Sequence, residues 1–154
     1  MPCIPSYQEQ QEMSARHGIE LMNKQLGPLL REVVKYLPVL EAVFNEFPEL
    51  QKREGAQACL AAMRELAAES TRPSPNEFDA IMVEEARLKA LVGRVEPVLC
   101  EAGTIAWIAA REFEEEDREP LFVAFLERHA KHREEDRAAR IKELRRELSA
   151  LNGA

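Results

Sequence analysis

The chain has 154 residues, of which 45% are hydrophobic and 32% charged, a composition typical of one globular domain. Its net charge is −7, and residues 71–119 carry most of it, with 6 basic and 12 acidic side chains, which disfavours nucleic acid as a partner. No run approaches the ~20 apolar residues of a membrane-spanning helix, and the N-terminal MPCIPSYQEQQE lacks the basic and apolar segments of a secretory signal.

The first predicted element is a helix over residues 6–26. Ser6 is its expected N-cap, and Glu9 completes a capping-box pattern three residues later. Apolar residues are sparse here, so we expect a helix that either frays or orders against a partner. Gly27 is expected to end it, because glycine is favoured just after a helix C-terminus.

Two more helices are predicted before the first linker. The second covers residues 28–45, is the most hydrophobic part of the chain, and starts at Pro28, which suits a first helical turn. Pro38 should kink this helix, because proline removes a backbone hydrogen bond. The third helix covers residues 48–70, and Gly55 is expected to loosen its first turns.

A heptad pattern follows the linker TRPSPN at residues 71–76. Its register positions, three and four residues apart through five heptads, are Phe78, Ile81, Glu85, Leu88, Val92, Val95, Leu99, Ala102, Ala106, Ala109 and Phe113. They predict one helix over residues 75–116, about 60 Å long. Pro97 and Gly103 are the two points at which this helix could break. Glu85, the only carboxylate in the register, is interpreted as an edge position.

The final predicted helix follows a charged turn at residues 114–120 and reaches about residue 151. Asp117 is its expected N-cap, and Pro120 lies in its first turn. Its last turns carry apolar residues spaced 3, 4, 3, which we call the terminal stripe: Ile141, Leu144, Leu148 and Leu151. Burying each leucine would contribute about 1.5–3 kcal/mol. The stripe should therefore fold back on the N-terminal helices, pair with a second copy, or bind a different protein, and we favour the last two.

Together these elements predict an all-α helical bundle in a single domain. Three N-terminal helices, residues 6–70, should pack on a long antiparallel helical hairpin with coiled-coil-like packing, residues 75–151. No segment alternates apolar and polar residues over the length of a strand. We expect the end of the hairpin to stay available for another chain.

The candidate interface residues are Trp107 and the terminal stripe. Trp107, the only tryptophan, falls one position after a register residue, so it either widens the core or serves as a binding anchor. Burial is the preferred interpretation, and the anchor is retained as the alternative. Cys3, Cys59 and Cys100 show no motif spacing, which favours free thiols and a reducing, cytoplasmic environment.

One cluster on the last helix has the residue types of a metal site. His129, His132 and Asp136 are spaced to share neighbouring turns, with Glu135 beside them. The preferred interpretation is a solvated charged face, because charged residues surround them. A di-iron bundle needs Glu-x-x-His repeats, and the sequence has none. We therefore predict neither a metal nor a cofactor.

No catalytic motif accompanies this excess of helical surface, so the chain is not expected to be an enzyme. The leading hypothesis is a non-catalytic protein–protein interaction module: an adaptor, an assembly subunit or a small inhibitor, for example a phage-encoded antagonist of a nucleic-acid-binding complex. The acidity of residues 71–119 favours a protein partner with a basic surface, and a homodimer is a further option. The alternatives are a metal-dependent, ferritin-like helical enzyme and a weak nucleic-acid binder acting through the last helix.

Overall fold

The structure is a computed structural model that describes residues 4–114, 116 and 118–153. The helices are α1 (Tyr7–Glu46), α2 (Ala56–Ala67), α3 (Phe78–Ala110) and α4 (Pro120–Asn152), with a 3-10 helix at Pro48–Lys52. No strand occurs in the described part of the chain, which confirms the all-α helical bundle. Cys3 and the predicted cap Asp117 lie outside the described residues.

Helix α1 replaces the two helices predicted before residue 46. Its start is as predicted, because the Glu9 amide donates to the Ser6 hydroxyl at 3.2 Å. The predicted break at Gly27 and Pro28 is wrong, since the helix runs through both residues. An uninterrupted buried stripe, which includes Ile19, Leu26 and Leu30 at 0–5% exposure, explains this continuity. Packing of such a stripe outweighs the cost of placing these residues inside a helix, which is about 1 kcal/mol for glycine and about 3 kcal/mol for proline.

The three prolines inside helices all lie on solvent-facing sides. Pro28 and Pro38 in α1 and Pro97 in α3 are exposed. Each leaves one carbonyl, four residues earlier, without its helical partner. Because those carbonyls belong to exposed residues, water can satisfy them. The helices therefore continue, and the predicted continuity of α3 through Pro97 and Gly103 is confirmed.

The third predicted helix, residues 48–70, is two shorter elements. A 3-10 turn at Pro48–Lys52 is followed by α2, which starts only at Ala56. Gly55 separates them with a φ of 81°, a left-handed conformation that glycine adopts without strain. The glycine thus turns the chain instead of only loosening a helix, and α2 can reverse direction against α1.

The four helices alternate in direction, so α1 and α3 run parallel. Gly18 of α1 lies beside Glu85 of α3, and near their other ends the Phe47 and Phe113 rings meet edge to face at 5.1 Å. Helix α2 runs antiparallel to both. Its C-terminal end lies near the first half of α3, where Arg94 pairs with Glu65 and Arg87 pairs with Glu69. An extended connector over residues 68–77 leads from the end of α2 to the start of α3. Asn23 of α1 holds it by donating to the carbonyl of Arg72 at 2.9 Å.

The buried side of α3 departs from the predicted register in its first half. Glu84 and Leu91 are buried, whereas the register positions Glu85 and Val92 are half-buried at the edge. Glu85 is therefore an edge position, as predicted, and pairs with Lys89 at 3.5 Å. The buried carboxylate is its neighbour, which the heptad pattern placed outside the core.

Arginines compensate the burial of Glu84. Arg87 donates to its carboxylate at 2.6 Å, and Arg72 lies 3.4 Å away. Arg87 also binds the Glu69 carboxylate at 2.8 Å and the Ser70 carbonyl at 3.2 Å. The hydrogen bonds from Arg87 hold the pKa of Glu84 below its usual range. This cluster fastens the connector between α2 and α3 to the bundle.

Helix α4 runs antiparallel to α3, but only its first third packs on the bundle. The Phe122 ring meets Phe113 at 5.4 Å, and the Phe125 ring stacks on Tyr36 of α1 at 4.4 Å. After His132 every described residue of the chain is exposed. A hairpin paired along all of residues 75–151 is therefore not what the structure shows.

The Glu84 cluster predicts a pH dependence of stability. Because the folded pKa of Glu84 is lowered, its contribution is complete above the unfolded pKa of about 4.3 and is lost as the pH falls through the folded value. Glu84→Gln should lower the free energy of unfolding at pH 7 by about 1–3 kcal/mol and flatten its fall below about pH 4.3. Urea denaturation across about pH 3–7, a range that includes the ordinary carboxyl pKa values of about 4, measures both effects.

Glu85→Gln, one residue along, controls for the loss of one negative charge from the same helix. An acid limb as steep in Glu84→Gln as in the wild type would contradict the role of this carboxylate.

Two glycines of α3 provide a second test. A Cβ at Gly103 would lie 2.6 Å from Nδ1 and 3.1 Å from Cβ of His129, so α3 and α4 touch there without room for a methyl group. Gly103→Ala should lower the free energy of unfolding by about 1–3 kcal/mol through overpacking. Gly93→Ala, where nothing lies within 4 Å, should raise it by about 0.5–1 kcal/mol. Denaturant titration of both variants checks the contrast, and equal effects would contradict the close contact.

Candidate functional site

The final part of α4, residues 133–152, extends away from the bundle, and we call it the projecting segment. At 1.5 Å per residue it is about 30 Å long. All of its side chains are exposed. Within it the ion pair between Arg140 and Glu143, at 3.3 Å, joins neighbouring turns of the same helix. Such pairs add only about 0.2–0.5 kcal/mol, so the segment gains little stability from its own ion pairs.

The terminal stripe lies on this segment and is bare. Its residues are exposed by 41% at Ile141, 41% at Leu144, 59% at Leu148 and 74% at Leu151. The structure thus does not contain the fold-back on the N-terminal helices. Four apolar side chains in one row on an isolated helix form a surface that another helix could cover.

The base of the projecting segment is held by charge as well as by packing. Arg128 of α4 bonds the Glu32 carboxylate of α1 and lies 3.4 Å from the Glu96 carboxylate of α3. One guanidinium therefore connects three helices at the level where α4 begins to leave the bundle. Its planar fork of donors suits two carboxylates at once.

Trp107 lies at this base, and its preferred interpretation as a core residue is wrong. It is 40% exposed, because the buried face of α3 here consists of Ala106 and its neighbours instead. The guanidinium of Arg111 is 4.7 Å from the indole ring and that of Arg133, on α4, is 5.3 Å from it. Cation–π contact with α4 thus places Trp107 beside the first exposed turn of the projecting segment.

Trp107 and the terminal stripe do not form one patch. Eight residues separate Arg133, which touches the indole, from Ile141, so the stripe starts about 12 Å farther along α4. A partner that covers both would have to follow the helix. The interface residues predicted from the sequence are all exposed, but the structure divides them into a base and a tip.

The two histidines, predicted to lie on a solvated charged face, have different surroundings. His129 is 4% exposed and packs against Gly103 of α3. Burial lowers its pKa, and the nearby Arg133 adds to this effect, so the ring is neutral near pH 7. His132 is half-buried and lies 3.5 Å from Asp136 and 3.8 Å from Glu96. Glu135, in contrast, is exposed on the projecting segment.

Sequence reasoning missed the α3 residues at this place. Glu96 and Cys100 face His132 across the α3–α4 contact, and the ligand atoms of all three lie within 4.8 Å of one another. Burial raises the pKa of the Cys100 thiol, and the Glu96 charge raises it further. No local signal reveals the cluster, because some 30 residues separate its two halves. Cys59 lies elsewhere, on α2, and burial raises its pKa to about 12.

The other chemical candidates remain apart. His17 and Glu20, the nearest approach to a di-iron ligand pair, are both exposed on α1. The five basic residues between Arg137 and Arg146 are exposed along the projecting segment. Aromatic residues for base stacking are absent from that segment.

Comparison with known protein families, curated proteins and solved structures finds no match to the chain. Among the described residues, no helix combines the length and apolar character needed to cross a bilayer. Function is therefore inferred from the geometry and charges of the helices.

Proposed function

We propose that the chain is a non-catalytic interaction protein that binds another protein through the projecting segment. The observation that carries this proposal is the exposed terminal stripe on a helical segment, residues 133–152, whose side chains are all exposed in the described part of the chain. An isolated helix of about 20 residues is marginal in water. Covering the stripe would bury apolar surface and stabilise the helix together, so folding and binding of this segment support each other.

The charges beside the stripe argue against pairing with a second copy. Ile141 and Leu148 take heptad position a, and Leu144 and Leu151 position d. In a parallel pair, Arg140 at position g of one chain would face Arg145 at position e of the other. In an antiparallel pair that buries all four residues, Arg145 would face Arg145 and Glu147 would face Glu147. Each arrangement places like charges together, which is destabilising.

The partner is therefore a helix of a different protein, with an apolar face and acidic flanks. Residues 137–152 carry five basic and two acidic side chains, so carboxylates opposite Arg140 and Arg145 would pair with them. The acidity of residues 71–119 favours a basic partner surface, yet Glu84 in that region already binds arginines of this chain. The proposed contact uses the projecting segment and does not involve the acidic residues 71–119.

An adaptor, an assembly subunit and an inhibitor would all act through a contact of this kind. A phage-encoded antagonist that occludes part of a nucleic-acid-binding complex is one form of the proposal. The free thiols of Cys59 and Cys100 suit a reducing compartment such as the cytoplasm.

The double variant Leu144→Asp with Leu148→Asp tests the role of the stripe. We expect it to keep the wild-type circular dichroism spectrum of the bundle and its unfolding midpoint, because neither side chain packs on the bundle. When tagged protein is used to recover partners from native extract, a protein bound by the wild type should be lost with this variant. Charged groups on a buried apolar seam are not tolerated without partners.

Ser149→Asp with Ala150→Asp is the matched control, since it adds the same two charges to the same helix away from the stripe. It should recover the partner as the wild type does. Loss of folding in the stripe variant would make the stripe part of the core. A wild-type dimer that the stripe variant separates into folded monomers would make a second copy the partner. Either result would reject the proposed hetero-complex, as would equal recovery with both variants.

A further inference from the structure

Three potential metal ligands, Glu96, Cys100 and His132, meet at the point where α4 leaves the bundle, and Asp136 lies beside His132 with its side chain 72% exposed. Glu96 and Cys100 are four residues apart on α3, and His132 and Asp136 are four residues apart on α4. Residues at this spacing lie one above the other on the same side of a helix. Each helix thus carries two potential ligands on one side, next to the α3–α4 contact.

The distances are near those of a bound divalent ion. Nε2 of His132 lies 3.8 Å from Oε2 of Glu96 and 3.5 Å from Oδ2 of Asp136. In a tetrahedral site with bonds of about 2.0–2.3 Å, neighbouring ligand atoms are about 3.3–3.8 Å apart. The Cys100 thiol, within 4.8 Å of the Glu96 and His132 atoms, needs a shift of about 1 Å to reach that range.

The Glu96 carboxylate is oriented, and one of its oxygens is left without a partner. Arg128 donates to Oε1 at 3.4 Å. Oε2, which faces His132, is buried and accepts no hydrogen bond from the described residues. A buried carboxylate oxygen without a donor is costly unless a cation or water satisfies it. The guanidinium would then act as the outer partner that fixes the ligand's direction.

A second unsatisfied group lies near the cluster, in the cleft that Cys100, His132 and Asp136 line. His129 borders it together with Cys100 and His132, is 4% exposed, and its Nε2 finds no hydrogen-bond partner in the described part of the chain. Buried polar atoms are nearly always paired, so an unpaired Glu96 oxygen that faces His132 and an unpaired His129 nitrogen in the adjoining cleft indicate a missing polar or charged occupant. This observation is independent of the ligand spacing.

We propose that Glu96, Cys100, His132 and Asp136 bind one divalent cation of the zinc type. A thiolate, an imidazole and two carboxylates form a mixed donor set that suits zinc or cobalt better than the hard cations magnesium and calcium. Cys100 binds as the thiolate, and its proton passes to solvent. With four protein ligands no open position remains, which is the arrangement of a structural site.

The bound ion would fix the direction of the projecting segment. His132 is the last half-buried residue of α4 and Asp136 lies one turn beyond it, so bridging them to α3 would hold the helix where its packing ends. This site replaces the sequence-based expectation of no metal. It uses His132 and Asp136 from the predicted cluster but pairs them with α3 instead of His129, and it does not depend on the proposed partner.

Cobalt provides the direct test, because cobalt–thiolate bonds absorb in the near ultraviolet and tetrahedral cobalt absorbs in the visible. Reduced, chelator-treated full-length protein is titrated with Co²⁺ and then with Zn²⁺. We expect one equivalent of Co²⁺ to give both absorptions and one equivalent of Zn²⁺ to remove them. Cys100→Ser should abolish the thiolate band, and His132→Gln should weaken binding about 100-fold or more, beyond the effect of losing an outer partner.

The control variant Cys3→Ser with Cys59→Ala keeps Cys100 as its only cysteine and should retain the full spectrum. His17→Gln, at an exposed position of α1, should bind as the wild type does. Absence of the thiolate band in wild-type protein, its loss in the control, or its survival in Cys100→Ser would overturn the proposed site. If Cys100→Ser does not fold, the His132→Gln and control spectra still decide between these outcomes.

Discussion

The parallel pairing of α1 with α3 is the contact on which the rest of the molecule depends. Fully buried residues such as Ile19 and Leu40 of α1 and Leu88 and Leu99 of α3 run along both helices. This burial keeps α1 continuous through Pro28 and Pro38, since packing exceeds the local penalties of about 3 kcal/mol for each proline. Two parallel helices need a connection that brings the chain back from the end of the first to the start of the second. Helix α2 and the connector after it form this connection.

The sequence predicts the structure correctly where residues within a single helix determine the outcome. The Ser6 cap and the continuity of α3 depend on neighbouring residues, and both are confirmed. The predicted break at Gly27 and the predicted helix over residues 48–70 are wrong for opposite reasons. Packing against α3 overrides the glycine in α1, whereas the left-handed Gly55 outweighs a helix-favouring sequence around it. The buried Glu84 was missed because its partners, including Arg72, come from the connector.

The candidate sites divide in the same way. The terminal stripe is visible in the sequence because its spacing lies within one helix, and the structure leaves it exposed. Trp107 is exposed and not in the core as its preferred interpretation had it, since small residues beside it fill the core. The cluster of Glu96, Cys100 and His132 depends on the contact of α3 with α4, and no sequence spacing encodes that contact. Of the four proposed ligands, only His132 and Asp136 were visible in the sequence, as a weak local pattern on α4.

Hydrogen–deuterium exchange of the isolated chain, at a concentration where it sediments as a monomer, tests most directly that α4 leaves the bundle after His132. Amides in the buried parts of α1 and α3 should open only with free energies near that of global unfolding. Amides over residues 138–152 should exchange with opening free energies near zero, because an unpacked helix of this length is marginal. Protection over residues 138–152 as strong as in α3 would show that the segment packs on the bundle, and would contradict the account.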